Sequence, residues 1–238
     1  MIARACWIAF WIFIGVGTAA IQIDRQSRYE PGLAEFVPKP ARAFSQRHIL
    51  VDALRDNDRA KAVEHARTLV ARRPMPAEHL RLLSLAQLQA GQLEESSYSI
   101  QLAARRGWRD RPSQSTMLEL ALAARDQPEA ARRFAALFVR GGGERTEMQE
   151  LAERVFGPES DEARQVFAQI VAGADRWHRV FLGRAPLIFP PEALVDITER
   201  ASASGARFDC QRLREASRRV ERREQGRGGA LLAAGRGC

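Results

Sequence analysis

The stretch "LQAGQLEES", Leu88 to Ser96, has two echoes in the chain. "LRDNDRAKA" stands 34 residues before it, at Leu54 to Ala62, and "LAARDQPEA" stands 34 residues after it, at Leu122 to Ala130. Each holds a helix-break position: Asn57, Gly91 and Arg125. Five positions on comes a small residue, Ala62, Ser96 or Ala130. Ala66, Ile100 and Phe134 follow four further on, then Leu69, Ala103 and Leu137 after three more. Before the breaks, Ile49, Leu83 and Met117 align, as do Leu50, Ser84 and Leu118. Apolar residues three and four apart share one face of a helix. Each period therefore predicts two helices joined at the break, with the small residue where they approach closely.

Composition agrees. Of 238 residues, 45% are hydrophobic and only 7% aromatic, and Ala, Leu and Arg dominate. These residues lose little on entering a helix, so the expected class is all-α. A helix pair cannot bury its apolar face alone; stacking buries it against the next pair, and three pairs are near the minimum for a stable array.

The period, the two-helix spacing and the small residue resemble the tetratricopeptide repeat. On that resemblance the repeats run about 43–76, 77–110 and 111–144, and "LLSLAQLQAGQLEESSYSIQLA" fits best. The family's early Trp and its Tyr are replaced by Leu80 and Gln87 in the second repeat, and its closing Pro occurs only as Pro74, so the match is to a divergent, TPR-like form. The resemblance implies a helical-hairpin solenoid. It also implies a binding face built from the first helix of each pair, here Arg47, Arg55, Glu78, Arg81, Gln89, Ser115 and Glu119. Their mixed charge is unlike a carboxylate clamp.

Residues 145–173 read as a shortened fourth pair, with Met148, Leu151, Ala152 and Val155 in one stripe. Gly157-Pro158 ends its first helix, Ser160 is placed to cap the second, and Ala163, Val166, Phe167 and Ile170 form the next stripe. Repeats and fourth pair together occupy 43–173. A helical C-terminal cap is expected over 174–225. It opens with an apolar loop broken by Pro186, Pro190 and Pro191, then has a helix from Pro191 to about Ser202 and a last helix capped by Asp209. Residues 226–238, rich in Gly and Ala, are expected to be a disordered tail.

The N-terminal run "CWIAFWIFIGVGTAAIQI", Cys6 to Ile23, carries no charge. Some 18 to 20 apolar residues suffice to span a bilayer. Residues 1–24 thus read as one transmembrane anchor, or as a signal segment cleaved near "TAA" at Thr18 to Ala20; the length favours the anchor. Residues 25–42 read as a Pro-rich linker, punctuated by Pro31, Gly32, Pro38 and Pro40.

Net charge is +8, with Lys39 and Lys61 the only lysines. So complete an arginine bias argues against nucleic acid as the selecting partner, although the arginine-rich last helix admits acidic polysaccharide or lipid head groups. His48, His65, His79 and His178 are dispersed without metal-ligand spacing. "GGGERT", Gly141 to Thr146, lacks a P-loop's Lys, and Cys6, Cys210 and Cys238 make no zinc or redox motif. No catalytic, cofactor or metal site is expected.

The expectation is a non-catalytic, membrane-anchored protein-interaction scaffold of the bacterial cell envelope. Its helical domain would be periplasmic, or secreted if the N-terminal segment is removed. An accessory role in cell-surface polysaccharide synthesis or export is the alternative. An enzyme would have to use the Trp177–Pro191 region. Trp108, where the second pair hands over to the third, is expected to wedge between them, with Arg105, Arg106, Arg109 and Arg111 in solvent.

Overall fold

The computed structural model describes residues 2–141 and 144–235, the side chains of Ile2 and Ala3 excepted. Among these residues the chain is all-α, with one apolar N-terminal helix followed by twelve α-helices packed in sequential antiparallel pairs. That helix, α1, runs Ile2–Gln26. The first pair is α2 (Ser45–Arg55) and α3 (Arg59–Arg72), the second α4 (Ala77–Gln89) and α5 (Leu93–Arg106), and the third α6 (Arg111–Ala123) and α7 (Gln127–Arg140). The helices α3, α5 and α7 begin 34 residues apart, and α4 and α6 likewise. A fourth pair, α8 (Arg145–Phe156) and α9 (Asp161–Ala172), keeps the same offset at both helix starts.

The breaks work by one device. Asn57, Gly91 and Arg125 have φ of 56°, 77° and 56°. The residue after each donates its N–H back to Ala53, Gln87 and Ala121, at 3.0, 2.9 and 2.9 Å. A left-handed residue closed by this bond satisfies carbonyls that a helix end would otherwise leave orphaned. Asp58 and Asp126 then cap the following helices through Lys61 N–H and Glu129 N–H. The fourth pair does without the left-handed turn. Gly157 there has φ of −58°, and the Arg164 guanidinium takes the carbonyls of Phe156 and Gly157. Ser160 stands at the expected N-cap of α9, but its side chain makes no capping bond.

The chain divides into two compact units, residues 1–113 and 114–238. The first has a core of small aliphatics: Leu50, Ala53, Ala62, Ala66, Leu69, Leu82 and Ala86. Its middle pair is held by a polar clasp. Ser84 Oγ donates to the Ser96 carbonyl at 2.9 Å, and Ser96 Oγ to the Ser84 carbonyl at 2.8 Å. Buried hydroxyls so paired satisfy one another. The second unit is built on phenylalanine. Phe134, Phe138, Phe156, Phe167, Phe181 and Phe189 are fully buried, and Phe167 lies within 6.2 Å, centre to centre, of the other five except Phe181, which it meets at that distance.

Several expectations are corrected. Residues 174–190 are not a loop: α10 (Asp175–Ile188) buries Phe181, Leu182, Ala185 and Ile188. Pro186 sits in its last turn, where the missing N–H ends the helix shortly afterwards. The helices α11 (Pro191–Ala203) and α12 (Cys210–Glu221) follow as expected, and Asp209 accepts from Arg212 N–H. The expected disordered tail is in part a helix, α13 (Arg227–Ala234). Its Leu231 is buried, and the Ser217 hydroxyl donates to Gly228 C=O. Residues 236–238, Cys238 among them, and Gly142 and Gly143 of the glycine loop lie outside the described residues.

The linker is not a spacer either. Residues 31–41 form two 3-10 turns, Pro31–Phe36 and Lys39–Ala41, that bury Ala34 and Val37 and pack on α1. Asp24, 3% exposed, accepts from the N–H groups of Ala43, Phe44 and Ser45 and from Ser45 Oγ, at 2.7 to 3.1 Å. A carboxylate at a helix N-terminus complements its dipole, so the end of α1 is bound to the start of α2.

Trp108 does not wedge. It is 50% exposed, with the Arg109 guanidinium 4.8 Å over its ring. The close approach falls at the residue before it: a Cβ on Gly107 would lie 2.2 Å from that of Ala77. Asp110 accepts from Ser113 N–H and so caps α6 as expected.

Candidate functional site

The first helices of the pairs carry the residues of the expected binding face. In the first unit, α2 and α4 place Arg47, Arg55, Glu78, Arg81 and Gln89. Arg47 grips one oxygen of Glu78 through Nε and Nη2, at 2.9 and 2.7 Å. Arg81 reaches Glu78 at 3.8 Å and Asp110 at 3.3 Å. Arg55 is exposed and 3.7 Å from Asp52, and Gln89 touches the Leu54 carbonyl at 3.5 Å. Four of the five thus form links along the face rather than a row of free groups. In the second unit Ser115 is half-buried. Glu119 is held at both oxygens by Arg154 of α8, at 2.9 and 2.7 Å. The Arg154 hydrogen bond keeps the Glu119 carboxyl below its ordinary value.

What the sequence reading missed on this face is apolar. Leu85 and Leu88 of α4 are 40% and 52% exposed. Glu78, Arg81, Leu85 and Leu88 are spaced by three, four and three residues and so form one stripe. The signal for it in the sequence is that same spacing.

The arginines also read differently. Many satisfy carbonyls at helix ends, which the planar guanidinium does well. Arg72 donates to Arg42 C=O and Arg106 to Pro74 C=O. Arg184 of α10 reaches the carbonyls of Phe138 and Val139, and its guanidinium lies over the Phe138 ring. Arg219 of α12 and Arg223 just beyond it also reach backbone carbonyls, Arg219 that of Gly183 and Arg223 those of Pro186 and Phe189. Arg214 and Arg218 of α12 face solvent.

The apolar side of the 177–191 segment is packed shut. Its polar side borders a cavity of about 620 Å³ lined by Asp175, His178, Arg179, Gly205, Arg207, Phe208, Asp209 and Arg212. His178 is buried against Phe208, and its Nδ1 lies 4.0 Å from Asp175. Cys210 is disulfide-bonded and is therefore not a free thiol beside Asp209. His79 is buried, and its Nδ1 is 2.8 Å from the Arg73 carbonyl; burial holds its pKa below the ordinary value. Among the described residues no group of three or more His, Cys, Asp or Glu is arranged to hold a metal ion.

No known family model matches the chain, and no curated protein matches it either.

Proposed function

We propose that the protein is a membrane-anchored, non-catalytic interaction scaffold, with a divergent TPR-like array held at the outer face of a bacterial inner membrane. The observation that carries this reading is the face of α4. Leu85 and Leu88 stand exposed beside Glu78 and Arg81, which are already paired with neighbouring helices. A rim of satisfied charges around exposed leucines suits an apolar side chain of a protein partner, because the polar groups need not be broken apart on binding. Helical arrays use such extended faces without a deep pocket.

The anchor reading is supported by α1. Residues 4–26 are long and apolar enough to cross a membrane, and the 18-residue apolar window within them is not buried in the fold. Thr18 to Ala20 lie within the unbroken helix, whose end is fixed by Asp24. The mass of the protein recovered from membranes tests retention: loss of the first 20 or so residues would sink the anchor. The partner face is tested by a photo-crosslinking side chain placed at Leu88, with Arg214 as the control site. A discrete crosslinked product at Leu88, lost on Leu85→Glu, is expected. The same products from both positions would remove the assignment.

A further inference from the structure

Two guanidiniums share one ring without a counter-charge. Arg28, just beyond α1, and Arg73, at the C-cap of α3, lie 5.9 and 4.0 Å from the centre of Phe44. Neither forms an ion pair among the described residues. Both border a cavity of about 440 Å³ with Arg47, His48, Pro76, Glu78 and His79. Glu78 is the sole carboxylate in that lining, and Arg47 holds it. His79 turns its Nδ1 to the Arg73 carbonyl, and a histidine, neutral or protonated, supplies no counter-charge to an arginine. Like charges held together in a partly enclosed space repel more strongly than in water, and an anion between them relieves this. Guanidinium forks match the oxygens of a phosphate.

The position of the cavity indicates where that phosphate comes from. Asp24 binds the end of α1 to the start of α2, and Arg28 follows four residues later. Tyr29 and Phe36, 74% and 73% exposed, stand in the same segment with Lys39. Exposed aromatic and basic residues at the root of an apolar helix suit the head-group layer of a bilayer.

We infer that this cavity binds the phosphate of an anionic lipid in the bilayer that α1 enters, an inference that rests on the anchor reading above. The full chain in uncharged detergent is heated with inorganic phosphate, or with chloride at equal ionic strength. It is also heated in phosphatidylcholine vesicles with and without phosphatidylglycerol. Phosphate and phosphatidylglycerol are each expected to raise the unfolding midpoint by a few degrees. Arg28→Gln/Arg73→Gln should lose both gains. Arg214→Gln/Arg218→Gln, with the same change in net charge on α12, should keep them. Arg28→Gln alone, outside every helix, guards against a folding defect from the Arg73 position and should lose most of the gain. Equal gains in the wild type and the Arg28/Arg73 variants, or no gain in the wild type, overturn the site. A gain with inorganic phosphate alone overturns the lipid as its source. Release of the wild type from vesicles by alkaline extraction would instead overturn the anchor, while the detergent measurements still judge the cavity.

Discussion

The two units solve the same packing problem with different side chains. In residues 1–113 the helix pairs close on alanines and leucines, and their faces are joined by Arg47–Glu78 and by the Ser84–Ser96 clasp. In residues 114–238 six phenylalanines interlock, mostly edge to face. Edge-to-face rings add favourable quadrupole contacts to a large buried area. Small residues allow closer helix approach but bury less apolar surface each. Position 62 and its 34-residue successors show where the two strategies meet. Ala62, Ser96 and Ala130 keep the contact small, whereas Ala66, Ile100 and Phe134, one turn on, grow towards the second unit. A single repeat pattern therefore accommodates both, provided the position nearest the partner helix stays small.

The largest expected effect tests the aromatic core. Phe167→Ala removes the ring in contact with the other five phenylalanines and should destabilise the second unit by about 3–5 kcal/mol in denaturant unfolding. A loss below about 1 kcal/mol would mean that the ring network is not what holds this unit. Next comes close approach in the first unit. Gly107→Val would drive its side chain into Ala77 and should destabilise by about 1–3 kcal/mol, with the unfolding transition of residues 1–113 moving and that of the second unit unchanged.

Smaller effects probe the shared turn. Arg125 adopts the left-handed conformation that Gly91 adopts without a Cβ. Arg125→Gly should therefore be neutral or stabilising, by up to about 1 kcal/mol, while Gly91→Arg should destabilise by a similar amount. If both changes destabilise, the turn is not governed by backbone conformation. The last test concerns pH. Burial lowers the His79 pKa in the fold, so the unfolded chain takes up the proton first as pH falls through the ordinary value of 6.5. The stability due to the neutral ring is full above about 6.5 and is lost as pH falls towards the lower folded value. Thermal unfolding should show this loss between neutral and mildly acidic pH, and His79→Gln should flatten it.

Legibility followed the range of the interaction. The breaks at Asn57, Gly91 and Arg125, the caps at Asp110 and Asp209 and the end of α8 before Gly157 could all be read in the sequence, because a turn or cap is decided by residues within about five positions. On the proposed binding face the helical positions follow from the spacing, but the contacts of the side chains do not. Arg47 and Glu78, expected to offer free polar groups, bind each other, and the exposure of Leu85 and Leu88 is set by packing. The prolines of the α10 segment point to a loop and mask its helical stripe. Only the buried phenylalanines around it show why the helix persists. The same holds for α13, whose Gly- and Ala-rich sequence gains its order from packing against α11 and α12.

The sequence by itself determined the helical class, the 34-residue period, the helix ends and the apolar N-terminal span, since each follows from local backbone preference and hydrophobic spacing. The tertiary structure decided that Asp24 closes the start of α2 from about 20 residues away, that arginines serve distant carbonyls, and that Trp108 stands outside the joint. These depend on which groups meet after packing. A carboxylate, a guanidinium or an indole has the same local sequence context whether it faces water or a partner across the fold.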